Sequence, residues 1–357
     1  MFELTNEQRR CFALTAVDDK WTRIEAKQSP YDDFKTFLYL DEETIVKCVC
    51  IGENRYYECD LCEKISVDGK YLLPKTSKGR PVLLSSSTIH KRKPIGMYLS
   101  YYKDCIYLCN ANIDRDYYNN YYSGKKPSDL SGFLDWVEEW CNETTAEDQR
   151  DILSFVQEKR RHVRYKEGDV FRFKLTRRLY GYGRILLDYE KMRKMGETFW
   201  DILMSKPLVC SVFHIVTERK DVSVDELKEL QSLPSAIIAD NNLFYGEYEI
   251  VGNIPITEKE DYPIMYGSSI HFGESAVCYQ CGKTYKKIEH TSVLHGGFRN
   301  NGVGFILQFE LDVLLKCIEE KSNEPYWKLS KYYQINRDLR NPQFSDKLQE
   351  IRQQMNV

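Results

Sequence analysis

Between Lys166 and Leu187 the chain reads KEGDVFRFKLTRRLYGYGRILL. Phe171, Phe173 and Leu175 alternate with Arg172 and Lys174, and a period of two places the apolar members on one face of a β-strand. Gly181 and Gly183 follow in RRLYGYG and are expected to supply the turn, because glycine tolerates backbone angles that other residues resist. RILL is then the returning strand. A chain with this stretch is committed there to an antiparallel hairpin, and its neighbours must cover the aromatic face.

The same period appears upstream. KTFLYL from Lys35, TIVKCVCI from Thr44 and RYYECDL from Arg55 are rich in β-branched and aromatic residues and separated by turn residues, which predicts an antiparallel meander. GMYLSYYKDCIYLCN adds a second tight hairpin turning at Lys103 and Asp104. The segment up to about Trp21 reads as a mixed lead-in. After a tyrosine-rich loop the period changes to helical. Leu130, Phe133, Leu134, Val137, Trp140 and Cys141 line one helix with Ser128 as its cap, and Ile152, Phe155 and Val156 line a second, opened by Thr144 and Glu147.

A chain of 357 residues exceeds the ~250 to 300 at which a single core stops growing, so two domains are expected. The basic run ending the second helix is the natural junction, giving domains 1–160 and 161–357. In the second, PLVCSVFHIV is a strand covered on both faces, and SVDELKELQSLP is a helix with a Ser223/Glu226 capping box and a Val224, Leu227, Leu230, Leu233 stripe. LFYGEYEIVGN reads as a further strand, DYPIMYGSSIHFG as irregular, Cys278 to Lys287 as strand, and Leu307 to Lys321 and the segment from Ser345 as helices. The fold class is α+β: two β-rich domains, antiparallel sheets with helices packed on one face.

Hydrophobic residues at 42% supply two cores and argue against disorder. The net charge of -3 offers no global attraction to nucleic acid or anionic membranes. The short basic clusters His90 to Pro94 and Glu158 to Lys166 read as solvated faces. The first residues lack the apolar core of a signal peptide, and no run reaches the roughly 18 apolar residues of a spanning helix, so a cytoplasmic location is expected.

Cys59-x-x-Cys62 and Cys278-x-x-Cys281 carry the spacing of paired zinc thiolates. Cys59 and Cys62 fall in a strand, where residues three apart face opposite sides. Cys278 and Cys281, followed by Gly282, look like a knuckle turn and are the zinc candidates in a chain otherwise expected to hold no cofactor. Cys48 with Cys50, and Cys105 with Cys109, each share one face of a sheet as small core hydrophobes. The chain has neither a phosphate-binding Gly-Lys-Ser/Thr loop nor a His-Glu-x-x-His pair nor a Gly-x-Ser-x-Gly elbow, and no catalytic residues are assigned. In NIDRDYYNNYY, Asp114 and Asp116 flank Arg115 on a solvated loop. Tyr117, Tyr118, Tyr121 and Tyr122 beside them supply the rigid amphipathic surface enriched in binding hot spots, so these six residues are the expected partner-binding surface.

At Gly168 and Asp169, which open an aromatic-alternating strand, and at Tyr180 to Ile185, reading Y-G-x-G-R-I, the chain resembles the immunity protein 26 family of bacterial polymorphic toxin systems. The likeness runs from about Tyr165 to Asn253. It implies an α+β fold and a non-enzymatic protein that neutralises a cognate toxin by binding it. No functional residue carries over from the family. One alternative is an enzyme that reverses a toxin's product or modification, using Cys278 or Cys281 with His290 or His295. The other is a nucleic-acid-binding regulator acting through the two basic clusters.

Overall fold

The computed structural model describes residues 2–28, 32–121, 126–194, 206–232, 236–257, 264–271, 274–281, 284–288 and 342–355. The chain divides into two compact units, Met1–Arg160 and Arg161–Val357. The architecture is α+β, with antiparallel sheets in both.

The first unit opens with helix α1 (Asn6–Cys11), which a capping box of Thr5 and Gln8 starts. That signature was present in the lead-in, where no helix was expected. Strands β1 (Thr22–Glu25), β2 (Phe34–Asp41), β3 (Thr44–Gly52) and β4 (Arg55–Ile65) form the meander. An excursion of β5 (Tyr71–Leu73), β6 (Val82–Leu83) and helix α2 (Ser86–Ile89) follows. The sheet then resumes with β7 (Ile95–Tyr102), β8 (Cys105–Asn110) and β9 (Arg115–Asn119), in the order β1-β2-β3-β4-β7-β8-β9. The β7–β8 turn falls at Lys103, whose φ is 56°.

Helices α3 (Leu130–Asn142) and α4 (Ala146–Val156) join α1 on one face of this sheet. There Phe133, Trp140 and Phe155 meet Tyr56, Tyr101 and Tyr118. The Phe133 ring stacks on Tyr101 at 4.8 Å and on Tyr56 at 5.4 Å. Both helix starts differ from expectation by one residue. Asp129 caps α3 in place of Ser128, its carboxylate accepting the Gly132 amide at 2.8 Å. Thr145 with Asp148 caps α4, because the Thr144 hydroxyl donates back to the Trp140 carbonyl at 2.6 Å and closes α3 instead. Asp129→Ala should therefore lower the stability of this unit by about 1 kcal/mol, read from the denaturant midpoint, whereas Ser128→Ala should leave it unmoved.

In the second unit β10 (Asp169–Lys174) pairs with β11 (Tyr180–Asp188), which is followed by α5 (Tyr189–Arg193). Strand β12 (Pro207–Thr217) comes next, then α6 (Val224–Lys228), β13 (Ala236–Ala239), α7 (Asn241–Phe244) and β14 (Glu249–Asn253). The sheet order is β13-β12-β11-β10-β14. Strands β15 (Ile264–His271), β16 (Glu274–Cys281) and β17 (Thr284–Ile288) form a three-stranded sheet, and α8 (Ser345–Met355) lies near the C-terminus.

Four expectations change here. Helix α6 ends at Lys228, short of Leu230 and Leu233, because the chain turns back to bridge Ser232 to Phe213. The first half of LFYGEYEIVGN belongs to a helical turn that Gly246 stops with φ +72°, and only Glu249–Asn253 is strand. Ile264–His271 is a strand where an irregular segment was expected. The helix expected from Leu307 to Lys321 lies outside the described residues.

The fourth concerns Gly181 and Gly183, which are not turn residues. They sit inside β11, opposite Phe173 and Phe171. A Cβ on Gly181 would lie 2.4 Å from the Phe173 ring, and one on Gly183 would lie 2.4 Å from the Phe171 ring. The phenylalanine rings lie flat across the neighbouring strand, and only glycine leaves room for them. The turn falls between Leu175 and Leu179, joined by a 2.8 Å hydrogen bond from the Leu175 amide.

Candidate functional site

The face of the nine-stranded sheet opposite α1, α3 and α4 carries Cys48, Cys50, Cys59 and Cys109. Because side chains alternate, residues paired across adjacent strands form rows on one face. One row runs Thr36, Cys50, Tyr57, Ser100, Tyr107, Asn119. The next runs Leu38, Cys48, Cys59, Tyr98, Cys109, Asp116.

The two ends of these rows have different surroundings. Over β2, β3 and β4 the excursion lays Leu72, Leu84 and Ile89 against Leu38, Cys48, Cys50, Cys59 and Leu61, making a second core. Over β7, β8 and β9 the surface is open: Tyr102 is 52% exposed and Tyr107 40%. Tyr121, just past β9, is 58% exposed.

At the covered end His90, following α2, reaches down to the sheet. Its Nε2 lies 3.3 Å from Cys50 Sγ and 3.5 Å from Thr36 Oγ1, and its ring meets Phe34 edge-on at 5.3 Å. Thr36 Oγ1 also lies 2.9 Å from Ser86 Oγ, which ties α2 to β2. Cys48 Sγ is 3.7 Å from Cys50 Sγ. The hydrogen bond from the Cys48 thiol pulls the Cys50 thiol down to about 5, with help from His90 and Thr36 and against burial, which raises it. Cys48 moves the opposite way, raised by its hydrogen bonds to Cys50 and Cys59 and by burial. Both thiols remain members of the second core, as their shared face predicts. The shared face of Cys48 and Cys50 was legible from their spacing, but the approach of His90 from 40 residues away was not.

At the open end Cys109 donates to Asp116 at 2.9 Å, and burial followed by the Asp116 charge holds that thiol well above its ordinary range. Tyr98 beside it is pushed up by burial and then by its hydrogen bond to Cys109.

The residues expected to bind a partner separate. Tyr117 and Tyr118 are buried, at 4% and 7%, on the helix-covered side. The Tyr117 hydroxyl donates to Asp151 at 3.0 Å, and the Tyr118 ring meets Trp140 at 4.9 Å. A bulge between Leu108 and Cys109 lets consecutive tyrosines serve the same core, which simple alternation does not allow. Asp114, at φ 59°, belongs to the β8–β9 turn. Asp116 lies in the row on the open face, Tyr121 is exposed beyond the end of β9, and Tyr122 lies outside the described residues. Tyr107 and Tyr102, contributed by the neighbouring hairpin, were missed because they are separated in sequence from the tyrosine-rich loop.

Of the other candidates, Cys59 is buried and Cys62 exposed, on opposite sides of β4. Cys278 and Cys281 both fall within β16, and their side chains lie outside the described residues, as do His290 and His295. In the basic cluster at His90, Arg92 Nε pairs with Glu63 at 3.4 Å.

The Gly168-Asp169 and Y-G-x-G-R-I stretches converge at one end of the second sheet. Gly168 has φ +88° and would place a Cβ 2.6 Å from the Ile254 carbonyl. Asp169 accepts from the Lys166 amide and the Asn253 side chain, each at 2.8 Å. Arg184 donates to the carbonyls of Ile254 and Pro255 at 3.1 and 3.0 Å. These residues fasten the end of β14 to the β10–β11 hairpin. Their chemistry is that of a scaffold, with the donors and acceptors spent on one another.

The family model described as Immunity protein 26 matches residues 166–276, the segment that begins at this hairpin. No curated protein and no solved structure matches the chain.

Proposed function

We propose that this chain, whose residues 166–276 belong to the immunity protein 26 family, binds a cognate bacterial toxin and neutralises it by protein–protein contact, without turning over a substrate. The family match carries the reading. The toxin is its partner, the cytoplasm its place of action, and neither nucleic acid nor membrane is needed.

The contact surface we assign is the open sheet face of the first unit. Among the described residues, the exposed large hydrophobic side chains, including Tyr102, Tyr107 and Tyr121, lie in this unit. Tyrosine offers a large rigid contact area at small entropic cost and keeps a hydroxyl for hydrogen bonding at a wet rim. Asp116 and Asn119 beside the rings supply polar partners. A standard interface buries ~1,200 to 2,000 Å² in total, about half of it on each partner.

The test is titration of the purified chain with the toxin encoded beside its gene, with toxin activity followed in parallel. A stoichiometric complex and loss of toxin activity are expected; a toxin that stays free and active at micromolar concentrations defeats the reading. Tyr107→Ala and Tyr121→Ala should each weaken binding about tenfold, roughly 1.4 kcal/mol, through faster dissociation. Unchanged affinity in both would move the interface elsewhere while leaving the family role intact.

A further inference from the structure

The covered end of the thiol row has features that toxin binding at the open end does not use. Three free thiols form a chain on adjacent positions: Cys59 opposite Cys48, and Cys48 beside Cys50 on the same strand. The last of them faces a histidine. Buried cysteines usually serve as inert apolar filler. Here Cys50 Sγ has neighbours able to hydrogen-bond on three sides, namely Cys48 at 3.7 Å, His90 at 3.3 Å and Thr36 at 3.6 Å. An apolar role would not require them.

We propose that Cys50 is a peroxide-oxidised thiol, that Cys48 is its resolving partner, and that His90 and Thr36 position it. In the first step the Cys50 thiolate attacks one oxygen of hydrogen peroxide. A sulfur–oxygen bond forms, the oxygen–oxygen bond breaks, and the departing hydroxide takes the proton shared between Cys50 and His90 and leaves as water. Cys50 is then a sulfenic acid. In the second step Cys48 sulfur attacks that sulfur. A disulfide forms, the sulfur–oxygen bond breaks, and the hydroxyl leaves as water with the Cys48 proton. The two thiols are oxidised by two electrons and one peroxide is reduced. A thiol reductant reverses the change by exchange.

Two geometric points favour this order. The Cys48 and Cys50 sulfurs already sit 3.7 Å apart, but closure to a bond of ~2.05 Å must also draw the two Cβ atoms toward the ~3.5 to 4.5 Å that a disulfide spans, which bends β3 locally. Residues two apart on a strand are separated by ~6.6 Å, at the outer limit of disulfide geometry. A bond formed there is strained and hence easily reduced, the property of a reversible device rather than a structural staple. Entry is by way of the half-buried His90 at the end of α2, a helix of four residues held on the sheet by the Thr36 to Ser86 contact. Local opening of such a short element admits a molecule as small as peroxide.

The exposed thiol of Cys62 provides an internal comparison. The full-length chain is exposed to hydrogen peroxide without denaturant, remaining thiols are alkylated, and tryptic peptides are mapped. Cys50 is expected to oxidise about tenfold faster than Cys62, despite its burial. The peptide Cys48–Arg55 should become two hydrogen atoms lighter, and a thiol reductant should restore it. In Cys48→Ser the Cys50 sulfenic acid should persist and react with dimedone. In His90→Asn the oxidation should slow about tenfold, while wild-type mapping needs no variant to fold. Oxidation of Cys62 ahead of Cys50, reaction of Cys50 only in denaturant, or a cross-link from Cys48–Arg55 to the peptide Tyr56–Lys64 overturns the proposal.

Discussion

Glu58→Gln is expected to lower the unfolding free energy of the first unit by about 3 to 5 kcal/mol, the cost of removing one partner from a buried charge network. Glu58 is fully buried on the helix-covered face of β4. It accepts from Arg9 at 2.7 and 3.3 Å, from Lys47 at 3.0 Å and from the Tyr56 hydroxyl at 2.6 Å. Lys47, also fully buried, keeps Asp60 at 2.6 Å, and Arg9 keeps the Asn6 side-chain carbonyl at 3.3 Å and Glu3 at 3.9 Å. Glutamine preserves the volume but removes the charge and turns an NH2 group toward donors. Arg9 belongs to α1, so the network also fastens that helix to the sheet.

The pH dependence has a definite sign. Burial raises the Glu58 carboxyl, but the charges of Lys47 and Arg9 outweigh it and hold the group below its ordinary value of 4.5. A carboxyl depressed in the folded state contributes stability that is fully present above 4.5 and is lost as pH falls through the lower folded value. Wild type should therefore lose stability on acidification below 4.5 more steeply than Glu58→Gln. Urea unfolding followed by fluorescence of Trp136 and Trp140 reads both effects. A loss under about 1 kcal/mol at neutral pH, or parallel acid limbs, would show that Lys47 and Arg9 find other partners.

The second large effect is expected in the other unit. Gly183→Ala should destabilise it by about 3 kcal/mol, at the upper end of overpacking costs. The added methyl would stand 2.4 Å from the tip of the Phe171 ring and 2.9 Å from the Ser211 carbonyl. The ring is fully buried and stacks on Tyr248 at 5.4 Å, and the carbonyl is backbone of β12, so neither yields easily. Phe171→Leu in the same chain should recover about 1 kcal/mol by withdrawing the ring tip, leaving the clash with the carbonyl. Additive losses in the double variant would mean that the glycine is required by its backbone and not by the ring.

The local patterns carried far. Alternation at Phe34–Asp41, Thr44–Gly52 and Arg55–Ile65 located the meander because one face of each strand must be apolar. The stripe from Leu130 to Cys141 located α3 for the corresponding reason at helical period. Capping was legible to within one residue, since neighbouring Ser, Thr and Asp compete for the same amides and tertiary packing chooses among them. At the candidate site the spacing of Cys48 and Cys50 announced a common face. It held no sign of His90, because the contact depends on how an excursion of some thirty residues folds back over the sheet.

By itself, then, the sequence determined the periodicities, the two hairpins, the α+β class and the resemblance carried by Gly168, Asp169 and Tyr180 to Ile185. These follow from interactions between residues a few positions apart, where backbone sterics and burial leave few choices. Tertiary structure alone decided what those residues do. It made Gly181 and Gly183 seats for aromatic rings, turned Tyr117 and Tyr118 into the core while leaving Tyr107 exposed, and brought Cys50 to His90. Each of these depends on which strand lies beside which, and in what register, a matter settled by the packing of whole elements rather than by any short stretch of chain.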